Sequence, residues 1–275
     1  MAGPELTSDT SINPYVEVFF DPADLDPATV RLRVYRFSDN RTWLVRGGVD
    51  IATGVAVLDF EIPFGVEATY RAEQFDVDDL SLGFTDISTI TLDVSDTWVH
   101  NPLDPTLAVN LGAHPLEAST TSKNVRPTVG EVVYTEGSTV GHWVGTRRRG
   151  VERMPFALVV EDTDQVDQLQ YMLGSYEVQQ VGVLCIRTPG PSRLPRTFFA
   201  AVEEPDEGDS DVAWGGVRTV FTFTATEVRP PFPGLVTPLL TYDDIDAFGD
   251  YDVQDATWAT YTDRDRAYGL AGLAG

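Results

Sequence analysis

Cysteine and lysine are almost missing from this chain of 275 residues, and each scarcity removes a class of explanation. Cys185 is the single cysteine, so no disulfide can form within the chain and no multi-cysteine metal site exists. It sits inside the apolar run 182–187, where a packed thiol is the expected role and a reactive one the exception. Lys123 is the one lysine among 19 basic residues, which face 43 acidic ones for a net charge of −24. Phosphate contacts need clustered Lys and Arg, so neither specific nucleic-acid binding nor attachment to an anionic membrane is expected. No apolar run approaches the roughly 20 residues of a membrane span. The start, Met1-Ala2-Gly3-Pro4-Glu5, lacks the basic-then-apolar pattern of a secretory leader. A soluble protein made in the cytoplasm is the expectation.

Histidine is scarce too: His100, His114 and His142 are the whole supply, and no H-E-x-x-H occurs. Gly137-Ser138-Thr139-Val140-Gly141 is not the G-x-S-x-G of a nucleophile elbow. Glycine-rich phosphate loops are absent as well. Two carboxylates facing across a cleft could hydrolyse a polysaccharide, but among 43 acids no pair stands out. Glu203 to Asp211 holds six acids in nine positions, yet lacks the D-x-[DN]-x-[DN]-G order of a calcium loop. It reads as a solvated hairpin tip. The sequence therefore predicts no enzyme, no cofactor and no metal.

What the chain does contain is strand rhythm. Tyr15–Phe20, Val30–Phe37, Trp43–Arg46, Val55–Phe60, Ala68–Phe75 and Ile87–Val94 are short β-patterned runs separated by turn signals. In the second of these, alternation predicts Val30, Leu32, Val34 and Phe37 near one face and the arginines on the other. Some six or seven strands in about 80 residues is the density of an immunoglobulin-like sandwich. Tyr70, on the penultimate run beside Ala68, Ala72 and Gln74, carries a resemblance to fibronectin type III modules. Tyr35 and Trp43 are its candidates for glycan stacking, although core packing is the simpler role for both.

Trp98 to Pro105, with Pro102 and Pro105, reads as a stiff connector. Beyond it a single helix interrupts the β pattern. Phe156–Val160 is a buried-strand run; Asp162-Thr163-Asp164 supplies capping oxygens; Val166, Leu169 and Met172/Leu173 recur at helical spacing; Gly174 ends it. One helix of about 163–173 cannot build a doubly wound α/β core, but it can cover a sheet. In the run Val217–Thr226, Phe221, Phe223 and Ala225 share one parity and the threonines 222, 224 and 226 the other. The aromatic face belongs in the core, the threonine face against solvent or a neighbouring subunit. Pro230 to Gly234 reads as a polyproline-like strap. After it, Thr241–Ile245 and Ala256–Tyr261 each look like one capped helical turn with an aromatic anchor.

The expected organisation is mainly β. It comprises a sandwich at 1–96, a connector at 97–105, a second sandwich-like module with one helix at 106–230, and an extended docking tail at 231–275. Arg147-Arg148-Arg149 is the only basic run, either an exposed turn or an intersubunit salt link. Tyr242, Trp258 and Tyr261 are candidate interface anchors.

Several stretches together resemble minor tail and distal tail proteins of long-tailed bacteriophages that infect actinobacteria. They are Thr97–Pro105 after a fibronectin-like module, the R-G-x-x-x-x-P-F-x-L stretch from Arg149 to Leu158, the capped helix, the run 182–189, and the aromatic and acidic segment around Tyr242 and Trp258. The resemblance implies a virion protein of the tail tip, made in the host cytoplasm. Its second module would be related to the tail tube, and its partners would be copies of itself, commonly six in a ring, with tube, hub and tape-measure proteins. Typical members put the tube-like part first, and here it comes second, so ring-forming and ring-decorating roles both stay open. A host-surface carbohydrate-binding module, using Trp43 or Tyr35, is the alternative.

Overall fold

The computed structural model describes residues 2–113, 115–117, 120, 122–174, 182–190, 193–211, 215–231, 242–261, 264, 267 and 270. The chain divides into two units, Met1–Leu235 and Val236–Gly275. It is mainly β, built of antiparallel sheets.

The first half of the larger unit carries β1 (Glu5–Asp9), β2 (Tyr15–Phe19), β3 (Arg31–Ser38), β4 (Arg41–Leu44), β5 (Ile51–Ala52), β6 (Val57–Asp59), β7 (Glu67–Phe75), β8 (Ser81–Phe84) and β9 (Ser88–Thr91). One sheet runs β1-β2-β6 and another β4-β3-β7-β8, with β5 added to β3 and β9 to β7. Val16, Val18, Leu32, Val34, Ile62, Phe64 and Tyr70 belong to one apolar cluster drawn from both. In β3 the predicted faces need correcting. The buried parity is Leu32, Val34, Arg36 and Ser38, whereas Phe37 is 50% exposed and Val30, preceding the strand, is 44% exposed. A period of two admits no other outcome: once Leu32 and Val34 point inward, Arg36 must follow them.

Arg36 is accommodated by a carboxylate. Its Nη1 donates to Asp59 Oδ2 at 2.5 Å, and the Tyr70 hydroxyl donates to the same oxygen at 2.8 Å. The Glu61 backbone N–H donates to Asp59 Oδ1 at 2.9 Å. Burial is the largest single influence and would lower the Arg36 pKa, but Asp59, Tyr70 and Glu61 together outweigh it and hold the guanidinium above its ordinary value. Burial and Asp59 together raise that of Tyr70.

The second half carries β10 (Trp98–His100), β11 (Ala108–Asn110), β12 (Gly130–Val133), β13 (His142–Gly145), β14 (Met154–Val160), α1 (Thr163–Leu173), β15 (Val183–Arg187), β16 (Thr197–Asp209) and β17 (Thr219–Glu227). Six of its strands form one sheet in the order β11-β10-β15-β16-β17-β14. After β11 the chain reaches the opposite edge, where Leu116 bridges Leu158 and Val159 N–H donates to the Pro115 carbonyl at 2.7 Å. The core thus lies inside one sheet closing on itself rather than between two separate sheets. Val109, Phe156, Leu158, Phe198 and Phe221 belong to it, joined by Leu169 and Met172 of α1. Asp162 caps that helix by accepting from Asp164 N–H, and Gly174 at φ 107° lets the chain turn out of it. In β17, Phe221, Phe223 and Ala225 are buried and Thr222 is exposed.

The predicted connector at 97–105 is not a linker. Trp98–His100 is β10, an interior strand paired with both β11 and β15, and residues 101–107 are the turn joining β10 to β11. Trp98 belongs to the core of the first half and Val99 to that of the second. Alternation makes β10 a wall shared by both, and prolines mark the turn beside it rather than a boundary.

Arginines stitch the halves across this wall. Arg187 of β15 donates through Nη2 to Asn13 Oδ1 at 2.5 Å and through Nη1 to the Pro14 carbonyl at 2.7 Å. Its guanidinium carbon lies 4.5 Å from the Phe64 ring centroid. From the other side, Arg46 pairs with Glu61 at 2.5 Å and donates to the carbonyls of Pro102 and Pro231. Burial brings Arg187 down to about 10, which leaves it charged at neutral pH.

The smaller unit holds α2 (Tyr242–Phe248) and α3 (Tyr251–Thr257). Its described residues hold these two short helices where two single helical turns were expected. Gln254 Nε2 donates to the Gly249 carbonyl at 2.7 Å, and the Phe248 and Trp258 rings lie 5.0 Å apart. The predicted turn at 256–261 proves to be the end of α3, which starts at Tyr251 because Asp250 supplies its N-cap. Of the predicted strap 230–234, residues 232–234 lie outside the described residues.

Asp59→Ala is expected to cost about 3–5 kcal/mol, because it strands the Arg36 charge in the core. Tyr70→Phe should cost only about 1 kcal/mol, since the carboxylate keeps its other donors. Urea unfolding of the two variants measures both. Equal, small losses would mean that the buried cluster does not hold the sandwich together.

Candidate functional site

Among the described residues the hairpin β12–β13 stands out by its exposure. Its strands form a sheet of their own, with Val132 opposite Trp143. All eight of its strand residues are exposed. Val132 is 50% exposed, Trp143 54%, Val144 58% and Tyr134 64%, and Val140 in the turn 75%. The Trp143 indole lies across the Gly130–Gly145 pair, since a Cβ on Gly130 would come within 2.6 Å of it. Below, Thr146 N–H donates to the Val129 carbonyl at 2.8 Å, Arg149 N–H to Pro127 at 2.9 Å and Glu152 N–H to Val125 at 2.9 Å. The ladder thus continues from tip to base. An isolated two-stranded hairpin is marginal in water, and contiguous exposed apolar surface marks contact sites.

Arg147, Arg148 and Arg149 stand at the base of this arm, all exposed. Arg149 reaches Glu152 Oε1 at 3.4 Å, with the arginine side chain largely and the glutamate partly in solvent, a pair worth little. Arg147 and Arg148 make no ion pair among the described residues. Sequence reading found the arginines and missed the arm. The available signal was Val132-Val133-Tyr134 and Trp143-Val144 flanking a glycine turn, with apolar residues in adjacent positions rather than alternating.

The other candidates scatter. Tyr242 and Tyr261 in the smaller unit are 71% and 69% exposed, and the Arg264 guanidinium lies 5.8 and 4.9 Å from their ring centroids. Trp258 is half-buried beside Phe248. Trp43 and Tyr35 do not share a platform. Trp43 stands opposite Arg36 and Tyr35 opposite Leu44, so they occupy opposite faces of one sheet. Tyr35 donates to Glu73 Oε2 at 3.3 Å and meets Phe84 edge-on.

The predicted hairpin tip at 203–211 needs correction as well. Glu203–Asp209 continues β16 and pairs with β17, with a register shift between Glu203 and Asp206. Pro205 sits at that irregularity, where no ladder donor is required. Among the described residues no group of three or more metal-ligating side chains comes together.

The groups with unusual chemistry are sealed in the seam between the halves. His100 and Cys185 are paired across β10 and β15, and both are 0% exposed. Neither ring nitrogen of His100 has a hydrogen-bond partner among the described residues. Burial, then Arg187 and Arg46, holds its pKa well below 6.5, and burial raises that of the Cys185 thiol. A neutral imidazole and a protonated thiol with no access to solvent offer no catalytic group.

No protein-family model matches the chain, no curated protein matches its sequence, and no solved structure matches its fold.

His100 makes stability pH-dependent. Its folded pKa lies below 6.5, so the unfolded chain binds the extra proton and stability is lost as pH falls below that value. The slope should approach about 1.4 kcal/mol per pH unit between roughly pH 6 and 5. Burial raises the Glu61 carboxyl and works in the opposite direction, so the comparison must be with His100→Leu. Urea midpoints from pH 7 to 5 should fall less steeply in the variant. Parallel curves would show that His100 does not titrate on unfolding.

Proposed function

We propose that this chain is a structural subunit of a bacteriophage tail tip, assembling with copies of itself and with other tail proteins around the DNA channel. The arm β12–β13 carries this reading. A two-stranded sheet exposed on both faces, with Trp143, Tyr134, Val132 and Val144 in water, has the chemistry of a segment that finishes folding against another polypeptide. The arginines at its base suit an acidic neighbour, and on a chain of net charge −24 another copy is such a neighbour. The same net charge repels phosphate and suits a surface past which DNA slides without sticking. Exposed Tyr242 and Tyr261 offer a further contact in the smaller unit. The sequence resemblance supplies the identity of the assembly, a ring of six and its tube, hub and tape-measure partners.

A carbohydrate-binding module built on Trp43 and Tyr35 together has less to support it, since the two rings lie on opposite faces of the sheet.

Trp143→Ala should leave the fold intact and weaken association by about 2–4 kcal/mol, roughly 30-fold or more. Native mass spectrometry and light scattering of the full chain, alone and mixed with its tail partners, read this directly. Unchanged assembly by a variant with a wild-type circular dichroism spectrum would remove the arm from the assembly.

A further inference from the structure

A concavity of about 280 Å³ lies between the two halves of the larger unit, and its walls carry an unusual share of this chain's few cations. Arg36, Arg41, Arg126 and Arg193 line it, with Trp43, Ser38 and a single carboxylate, Asp39. They arrive on separate elements. Asp39 and Asn40, at φ 50° and 55°, form the tight turn that delivers Arg41 at the start of β4. Arg126 follows Val125, which bridges Glu152. Arg193 precedes Leu194, which is anchored in the core of the second half.

The electrostatics of the cavity run against those of the whole chain. Arg36 is neutralised by Asp59, but Arg41, Arg126 and Arg193 form no ion pair among the described residues, so three free cations face one acid. Arg36 itself is only 3% exposed and its Nε has no accessible surface, so the groups that can meet an anion are the three exposed arginines. Trp43 adds an apolar wall. It is half-buried, with the Arg36 guanidinium carbon 5.9 Å from its ring centroid. Guanidinium forks hold the oxygens of phosphate or carboxylate, and an indole face takes the flat C–H surface of a sugar ring.

We propose that this concavity is a binding site for an anionic sugar, with the oxyanion held by Arg41, Arg126 and Arg193 and the ring against Trp43. The site is independent of the assembly role and would coexist with it.

Calorimetric titration of the full chain at low salt with glucose 6-phosphate, glucuronate, glucose and inorganic phosphate tests this. Glucose 6-phosphate and glucuronate should bind at least about tenfold more tightly than glucose, because a charge-assisted contact is worth about 1.5 kcal/mol or more. Glucose 6-phosphate should also bind more tightly than inorganic phosphate, and Trp43→Ala should abolish that second advantage. The double variant R41A/R126A changes only exposed side chains and should weaken glucose 6-phosphate about tenfold or more. Glucose binding as tightly as its phosphate would overturn the anion site, and inorganic phosphate binding as tightly would overturn the sugar. Unchanged affinity in R41A/R126A would overturn the location. Displacement of glucose 6-phosphate by a lower concentration of a peptide copying residues 203–211 would reassign the cavity to an acidic protein partner.

Discussion

A guanidinium group leaves water at a high cost, which acceptors for its N–H groups and a counter-charge offset. Two of this protein's arginines, Arg36 and Arg187, are almost wholly buried, and a third, Arg46, nearly so. Each finds acceptors for part of its fork in a different way, while the Nε of Arg36 and of Arg187 has no partner among the described residues. Arg36 uses a carboxylate within its own sandwich, Arg187 an asparagine and a carbonyl from the facing half, and Arg46 a carboxylate and two proline carbonyls. Prolines lack a donor but keep their carbonyl, and here those carbonyls become the docking points. Lysine could supply charge at these positions but not the planar fork that reaches two acceptors at once. The scarcity of lysine and this mode of joining are physically compatible for that reason.

The seam fixes the two halves of the larger unit as one body, and that has consequences for function. It seals His100 and Cys185 away from any substrate. It also leaves the arm β12–β13 as an element whose apolar residues find no cover within the described residues. That uncovered apolar surface is what the proposed assembly role rests on.

Much of the fold could be read in advance wherever a local rule governed it. The helix 163–173 was legible from Asp162, the spacing of Leu169 and Met172, and Gly174, because capping and periodicity are properties of neighbouring residues. The sandwich strands were legible from alternation, and so was the aromatic face of β17. Failures occurred where a non-local partner decided. Arg36 breaks the apolar pattern because Asp59 waits 23 residues away. Trp98–His100 looked like the start of a linker since its partners, β11 and β15, are both distant or short. The acids after Val202 looked like a tip, yet pairing with β17 carries the strand through them.

By itself the sequence determined composition-level facts and local form: a strongly acidic, disulfide-free, mainly β chain with one capped helix in the larger unit. These depend on counts, caps and periods that no partner can alter. Only the tertiary structure decided which charged residues are interior, which aromatic rings share a face, and which apolar hairpin is left uncovered. Those properties belong to pairs of segments far apart in the chain, and burial exists only once both members of a pair are in place.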